Sequence, residues 1–518
     1  MNTPRSIDFF GKRLSGEFTI PSGIVTTAAP IIQYFFDHIP QVGVITTKSI
    51  GLAPRTGNRE PVLSQYAPGC FVNAVGLTNP GAEQSVELLG ALSIPEDRFL
   101  LTSIFGGSVE EFVAVAKLLA PVSDGLELNL SCPHAQGYGM AMGQDPALVY
   151  AITAAVKAAV DIPVIPKLTP NTPDIATIAR AALEAGADGL CAINTVGPGY
   201  TSAYGHPVLS NGEGGISGKG VLPTGLKCVR DVAAITDVPI IGCGGVSSAD
   251  DVRAYRDAGA TVIGVGSSLV GLTTAEIAQY FNALEADLDN SGERAEALVR
   301  YDIDMRFRPV TLVENSRICE DMALLTFDRG INIQPGEFIF LWIPGLGEKP
   351  FSALVDNPFT LAVIDLGEFT HALMSLPVGT EAYVRGPHGI PASPPEDAKI
   401  MAVAGGTGLA AGYQLARDFG NAEIFAGARS SDRLYFLDEC RRIARVHVAT
   451  DDGSEGFHGR VTELLRERLQ AMPASEREEL VFYNCGPEPM VHAALAVQRE
   501  FCRPEQSYSA IDYLTKCG

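Results

Sequence analysis

At 518 residues the chain exceeds what one hydrophobic core serves, so two or three domains are expected. A net charge of −22, with no Lys/Arg cluster long enough to form a basic stripe, disfavours nucleic acid and anionic membrane as partners. No run of about 18 apolar residues appears, and the polar start Met1-Asn-Thr-Pro-Arg-Ser6 lacks the apolar core of a signal peptide, so the cytosol is the expected compartment. Ten scattered cysteines without a dense spacing read as reduced thiols, most of them buried.

From residue 17 to 290, short apolar runs alternate with stretches of helical periodicity, the pattern of parallel strands joined by crossover helices. The expected strands are Phe18–Ile20, Val42–Thr47, Leu100–Ile104, Leu126–Leu130, Pro163–Leu168, Gly189–Asn194, Pro239–Cys243 and Val262–Val265. Eight repeats in this length suit a closed α/β barrel of the TIM (β/α)8 type better than an open sheet. Near residue 305 the texture changes to valine-rich alternation, as in Arg308–Val313 and Phe338–Ile343, with turns at Gln334-Pro-Gly336 and Pro344-Gly345; a small antiparallel barrel is expected. From Lys399 the β-α alternation returns with Ile400–Ala404, Gly405-Gly406-Thr407-Gly408 and Ala422–Ala426, the pattern of a nucleotide-binding domain. The expected domains are therefore 1–300, 301–396 and 397–518.

Several barrel strands end in polar or glycine-rich chemistry, which is where such a fold keeps its active site. Gly242-Cys243-Gly244-Gly245 and Gly264-Val265-Gly266-Ser267-Ser268 fall after strands seven and eight, where bare amides can hold a phosphate, and Gly214-Gly-Ile-Ser-Gly218 offers a third approach. In Glu127-Leu-Asn-Leu-Ser-Cys-Pro-His134, alternation turns Asn129 into the barrel and leaves Ser131 and Cys132 in the loop above it. Cys132 is read as chemical because that loop, a neighbouring hydroxyl and Pro133 fix its position; Cys70, Cys191 and Cys228 are read as buried hydrophobes.

With Thr46-Thr-Lys48, Pro54-Arg-Thr-Gly-Asn58, Asn73-Ala-Val-Gly-Leu-Thr-Asn-Pro-Gly81, Lys167-Leu-Thr-Pro-Asn171, Ile193-Asn-Thr195 and Gly215-Ile-Ser-Gly218 added, residues 15 to 290 resemble the class 1 dihydroorotate dehydrogenases, and among them the NAD-linked class 1B. The resemblance implies FMN in the barrel, with Cys132 as the base taking the C5 proton of the dihydropyrimidine and Ser131 helping to relay it. It assigns the substrate to Lys48, Asn73, Val75, Gly76, Leu77, Asn129, Asn194 and Thr195, with His134 where the family usually has Asn. It assigns FMN to Ser22, Gly23, Lys48, Lys167, Gly218, Gly244, Gly245, Gly266 and Ser267. His134 and the following Gly137-Tyr-Gly-Met-Ala-Met-Gly-Gln-Asp-Pro146 are closer to the flavin barrel of dihydropyrimidine dehydrogenases, so reduction of a uracil-type ring stays open as an alternative.

Residues 306 to 518 resemble the electron-transfer subunit of class 1B enzymes, a ferredoxin-reductase-like module. The resemblance implies FAD at Lys349, Pro350, Ser352, Gly367 and Thr370, and a pyridine nucleotide, NAD, at Gly405, Gly406, Gly408, Cys485 and Gly486. It further implies a homodimer, and a 2Fe-2S cluster on four tail cysteines beginning Cys-Gly-x-Gly-x-Cys; the chain ends Lys516-Cys517-Gly518, so only Cys517 of those ligands is present and no metal site is assigned.

Overall fold

A computed structural model of the chain describes residues 5–130, 140–289 and 294–510, which form two compact units, one running through Asp304 and the other beginning at Met305. In the first, eight parallel strands close into a barrel: β1 Phe18–Ile20, β2 Val42–Thr46, β3 Phe99–Ile104, β4 Gly125–Asn129, β5 Val164–Leu168, β6 Leu190–Ala192, β7 Ile240–Cys243 and β8 Val262–Gly264. Each lies within two residues of a strand expected from the sequence at both of its ends.

Alternation along these strands sorts the side chains. Leu100, Ile104, Leu126, Leu128 and Val164 join the apolar faces of the crossover helices, such as Phe112, Val115, Val149 and Ile152. The alternate residues Val44, Leu101, Ile165, Cys191 and Ile241 form a separate inner cluster. Glu127, Asn129 and Lys167 share that second parity, so an apolar barrel interior turns polar toward the strands' C-terminal ends. The other end is stoppered by an antiparallel hairpin, Ile7–Phe9 with Lys12–Leu14, which adds Phe9 and Leu14 to the inner cluster and sets the Phe9 ring 5.2 Å from Phe99.

An accessory antiparallel sheet is inserted in the barrel sequence, in the order Val196–Gly199, Gly214–Gly218, Cys70–Asn73, Leu63–Ala67. Its register pairs Asn73 with Gly215, bringing the loops after β2 and β6 together.

In the second unit, strands Arg308–Cys319, Met322–Phe327, Phe338–Ile343, Gly347–Phe351, Val355–Asp356, Phe359–Ile364 and Glu381–His388 form one seven-stranded antiparallel sheet around Leu312, Leu325, Leu341, Leu361 and Val384. Six parallel strands follow, in the spatial order Phe457–His458, Arg445–Thr450, Ala422–Ala428, Lys399–Gly405, Leu480–Cys485, Ser507–Ala510. The chain moves outward from Lys399–Gly405 in one direction and later returns to its other side. That makes the gap beyond Gly405 and Cys485 the topological switch point, where open α/β sheets bind ligands.

Candidate active site

A chain of polar side chains runs across the C-terminal mouth of the barrel. The Asn194 amide, in the loop after β6, donates to Asn129 Oδ1 at 3.2 Å, and the Asn129 amide donates to Ser49 Oγ at 2.9 Å. Ser49 Oγ lies 2.9 Å from Ser103 Oγ on β3 and 3.1 Å from Ser22 Oγ in the loop after β1. The loops or strands of five barrel positions are thereby held in one hydrogen-bonded array, fixing the direction in which each amide presents its remaining groups. Thr195 N donates to Asn194 Oδ1 at 2.8 Å, and Asn171 Nδ2 donates to Thr195 O at 3.1 Å, so the Asn194-Thr195 pair is held from two sides. Asn73 Nδ2 donates to Gly215 O at 3.4 Å, placing it in the same array of loops through the accessory sheet. Replacing Asn129 with leucine removes one hydrogen bond each from Asn194 and Ser49, while Ser49 keeps Ser22 and Ser103, so the loss falls on the orientation of the array more than on the fold. The expected result is a fall in kcat/KM for the ring substrate of at least about tenfold with the melting temperature little changed, read by steady-state kinetics beside thermal denaturation.

Ser49 and Ser103 are members of this array that the sequence did not single out. Ser103 does carry a signal: a hydroxyl at an inward position of a strand whose other inward residues, Phe99 and Leu101, are apolar, and it is fully buried. Ser49 carries none, because a serine three residues past a strand is ordinary.

The loop Val75-Gly76-Leu77 takes positive φ at both Gly76 (81°) and Leu77 (60°). It is pinned by Asn79, whose Nδ2 donates to Leu77 O at 2.9 Å and whose Oδ1 accepts from Gly51 N and Gly81 N. Lys48 is half-buried and its amide donates to Thr26 O at 3.2 Å. Ser131, Cys132 and His134 lie outside the described residues, as does Cys517.

Deeper in the barrel sits a buried ion pair. Lys167 Nζ on β5 lies 3.6 Å from Glu127 Oε1 on β4, with side-chain exposures of 7% and 1%. Burial works against the ammonium, yet Glu127, with the Cys191 and Cys243 thiols, holds the Lys167 pKa above the usual lysine range. Cys191 and Cys243 come from β6 and β7; the Cys191 thiol is pushed up by its hydrogen bond with Cys243 and by burial, and Cys243 Sγ donates to Ile193 O at 3.2 Å. Cys191 is buried, as its sequence suggests, but beside charge rather than only among hydrocarbon.

The glycine loops after β6 and β7 pack backbone on backbone. A Cβ at Gly218, whose φ is 95°, would stand 2.1 Å from Gly69 O; one at Gly245 would meet Leu222 N at 2.8 Å and Gly218 O at 2.9 Å. Lys219 braces these loops, its ammonium reaching Ser247 Oγ (2.6 Å), Asp251 Oδ2 (2.9 Å) and Glu296 Oε1 (3.3 Å), a network not foreseen from sequence. Gly244 neighbours this contact, Gly266 and Ser267 open the short 3-10 turn Ser267–Leu269 after β8, and Gly23 follows Ser22 after β1. Side-chain-free amides beside an ammonium inside the barrel fit an anionic, planar flavin mononucleotide.

In the second unit, Lys349 and Pro350 are exposed on Gly347–Phe351 and Ser352 follows them. Their neighbour Glu348 is buried and ion-paired with Arg385 at 2.6 Å, and the Arg385 guanidinium lies 5.1 Å from both the Phe307 and Phe340 rings. The Thr370 hydroxyl accepts from Leu366 N (2.9 Å) and Gly367 N (3.1 Å), so it ties the turn at Gly367 to the short helix Glu368–Met374. At the switch point, Gly405, Gly406 and Gly408 lead into the helix Leu409–Phe419, directly against Cys485 and Gly486. Among the described residues, no cluster of His, Cys, Asp or Glu could hold a metal, and no helix is long and apolar enough to cross a membrane.

An eight-stranded barrel with a polar mouth and a parallel sheet with a glycine turn at its switch point, carried on one chain, define an oxidoreductase with a nucleotide-binding domain. Residues 6–285 match the family model described as dihydroorotate dehydrogenase, and residues 402–495 match the oxidoreductase NAD-binding domain. The chain belongs to the dihydroorotate dehydrogenase family. It is 42% identical over 267 residues to the dihydroorotate dehydrogenase B (NAD(+)) catalytic subunit of Pyrococcus horikoshii, covering 51% of this chain and 86% of the relative. The correspondingly named subunit of Methanosarcina mazei is 47% identical over 262 residues, covering 50% of this chain and 82% of its own length.

Proposed function

We propose that the chain oxidises dihydroorotate to orotate in the barrel and passes the electrons through FMN and FAD to NAD+. The observation that carries this reading is the hydrogen-bonded array of Asn129, Asn194 and Thr195 at the barrel mouth, with Asn73 on the accessory sheet bonded to Gly215 O; their amides and hydroxyl match a ring of alternating C=O and N-H groups. A barrel-bound FMN supplies the hydride acceptor for C6. Within the chain, Cys132 takes the C5 proton as thiolate and Ser131 relays it, while the loop Val75-Gly76-Leu77 and Lys48 receive the substrate carboxylate. Lys167 sets positive charge at the flavin, and Ser22, Gly23, Gly218, Gly244, Gly245, Gly266 and Ser267 cradle its phosphate and edge.

In the second unit, Lys349, Pro350, Ser352, Gly367 and Thr370 hold FAD, and Gly405, Gly406, Gly408, Cys485 and Gly486 hold the nucleotide. The domains fall at 1–300, 301–396 and 397–518, and the protein works in the cytosol on a small pyrimidine, as a homodimer.

One feature favours a second reading, reduction of a uracil-type ring by a nicotinamide nucleotide: His134 stands where the resembled dehydrogenases usually carry Asn. The two separate in one assay series. Dihydroorotate with NAD+ is expected to turn over while uracil with NADH or NADPH does not; the opposite outcome replaces the first reading with the second. Acid extraction is expected to release FMN and FAD in equal amounts, and FMN alone would remove the proposed role of the second unit.

A further inference from the structure

Inside the barrel, the mechanism above leaves the buried carboxylate of Glu127 without a task. Glu127 lies on β4 two residues below Asn129, in a strand that pairs with β5 so that Glu127 is opposite Ile165 and Asn129 opposite Lys167. Its carboxylate is 1% exposed and 3.6 Å from Lys167 Nζ. Such a carboxylate is costly where it stands: moving an ion out of water costs several kcal/mol unless a partner compensates it. An apolar residue of the same inward parity, like Leu101 or Ile165, would fill the barrel at no such cost. A pair kept at this depth, directly under the polar mouth, sets the charge of Lys167, the residue that the proposed function places at the flavin.

We infer that Glu127 is a positioning residue for the flavin reaction: it fixes the Lys167 ammonium in the barrel and offsets its charge, so that the pair presents a constant field to the isoalloxazine. This rests on the proposed FMN site. The titratable groups facing Lys167 are Glu127 from β4, Cys191 from β6 and Cys243 from β7. Glu127 is the carboxylate among them and gives the largest pull toward the charged ammonium; the Cys191 thiol is pushed up, while Cys243, drawn down by its hydrogen bond with Cys191 and by Lys167, adds a smaller pull. With Glu127 neutral, Lys167 keeps the burial that disfavours its charge and loses the group that restores it, so its proton becomes labile.

The test uses the full chain and Glu127→Gln, with two readouts. The first needs no flavin: the Lys167 side chain, observed by NMR with isotope-labelled lysine, is expected to stay protonated in the wild type throughout the accessible alkaline range and to begin deprotonating within it in Glu127→Gln. An unchanged titration overturns the inference whatever the cofactor turns out to be. The second is the midpoint potential of the bound FMN against pH. The variant is expected to be shifted and to gain an inflection where Lys167 titrates, and the double variant Glu127→Gln/Lys167→Met to lose that inflection. A potential and pH slope matching the wild type would reduce Glu127 to a packing residue. Should Glu127→Gln not fold, Glu127→Asp, which keeps the charge on a shorter arm, is expected to fold and keep Lys167 protonated with a displaced potential; a wild-type potential there also overturns the inference. If the wild type binds no FMN while the lysine titration shifts as expected, the proposed cofactor site fails and the Glu127–Lys167 coupling stands.

Discussion

Cys132→Ala is expected to lower the rate of flavin reduction by dihydroorotate by about 10²–10⁴-fold, the span that a positioned general base contributes, while the bound flavin keeps its absorbance. The residue follows Asn129 by three positions, and Asn129 is the hinge of the polar array at the barrel mouth, fixed to Ser49 at 2.9 Å and to Asn194 at 3.2 Å. On the proposed function, the ring that this array would orient gives its C5 proton to Cys132. The thiol is active only as thiolate, so the wild-type rate is expected to rise with pH and level off once the thiol is ionised. Stopped-flow reduction across pH checks both points: the alanine variant should be slow and lack that rise. A variant that keeps the wild-type rate would return Cys132 to the status of an ordinary loop thiol and leave the proton without an acceptor.

The barrel was legible in the sequence because its strands announce themselves twice, by an apolar run and by the polar or glycine cluster that ends it, as with Gly125–Asn129 before Ser131 and Ile240–Cys243 before Gly244. The amides Asn129 and Asn194 were legible for a related reason, since an amide at a strand's mouth stands out against hydrocarbon. What joins them was not. Ser49 completes the array only because β2 and β4 are brought to one mouth, and a serine has no spacing that declares this. The partner of Lys167 was hidden more thoroughly. Glu127 is separated from it by a whole crossover helix, Pro146–Lys157, and nothing in a single strand says which inward residue of the next will face it. Cys191 and Cys243 illustrate the same limit: each alone reads as a buried thiol, and only closure of the barrel places both beside one ammonium. In the second unit, Thr370 reads as a phosphate-binding hydroxyl, while its position also lets it tie its own helix start through Leu366 N and Gly367 N, an alternative that local sequence always offers to Ser and Thr.

Gly408→Ala is expected to cut NAD+-linked turnover by about 10²-fold, the scale of a misplacement of about 1 Å in a reacting group, while dihydroorotate oxidation with an artificial dye as acceptor stays near the wild-type rate. The added Cβ would stand 2.0 Å from Cys485 O, 2.5 Å from Cys485 C and 3.0 Å from Gly486 N. None of these atoms can turn aside as a side chain would, because Cys485 is held by pairing with Ala404 on one side and Ala510 on the other. The strain must therefore displace either the turn at Gly406–Gly408 or the start of the helix Leu409–Phe419, which are the segments that would carry the nucleotide's pyrophosphate. Overpacking of this kind costs about 1–3 kcal/mol, so the domain should still fold, with a lowered melting temperature. Comparing the NAD+ and dye assays on one preparation separates the two units. If both rates fall together, Gly408 acts through general stability; if neither falls, the nucleotide does not use this turn and the switch-point assignment is wrong.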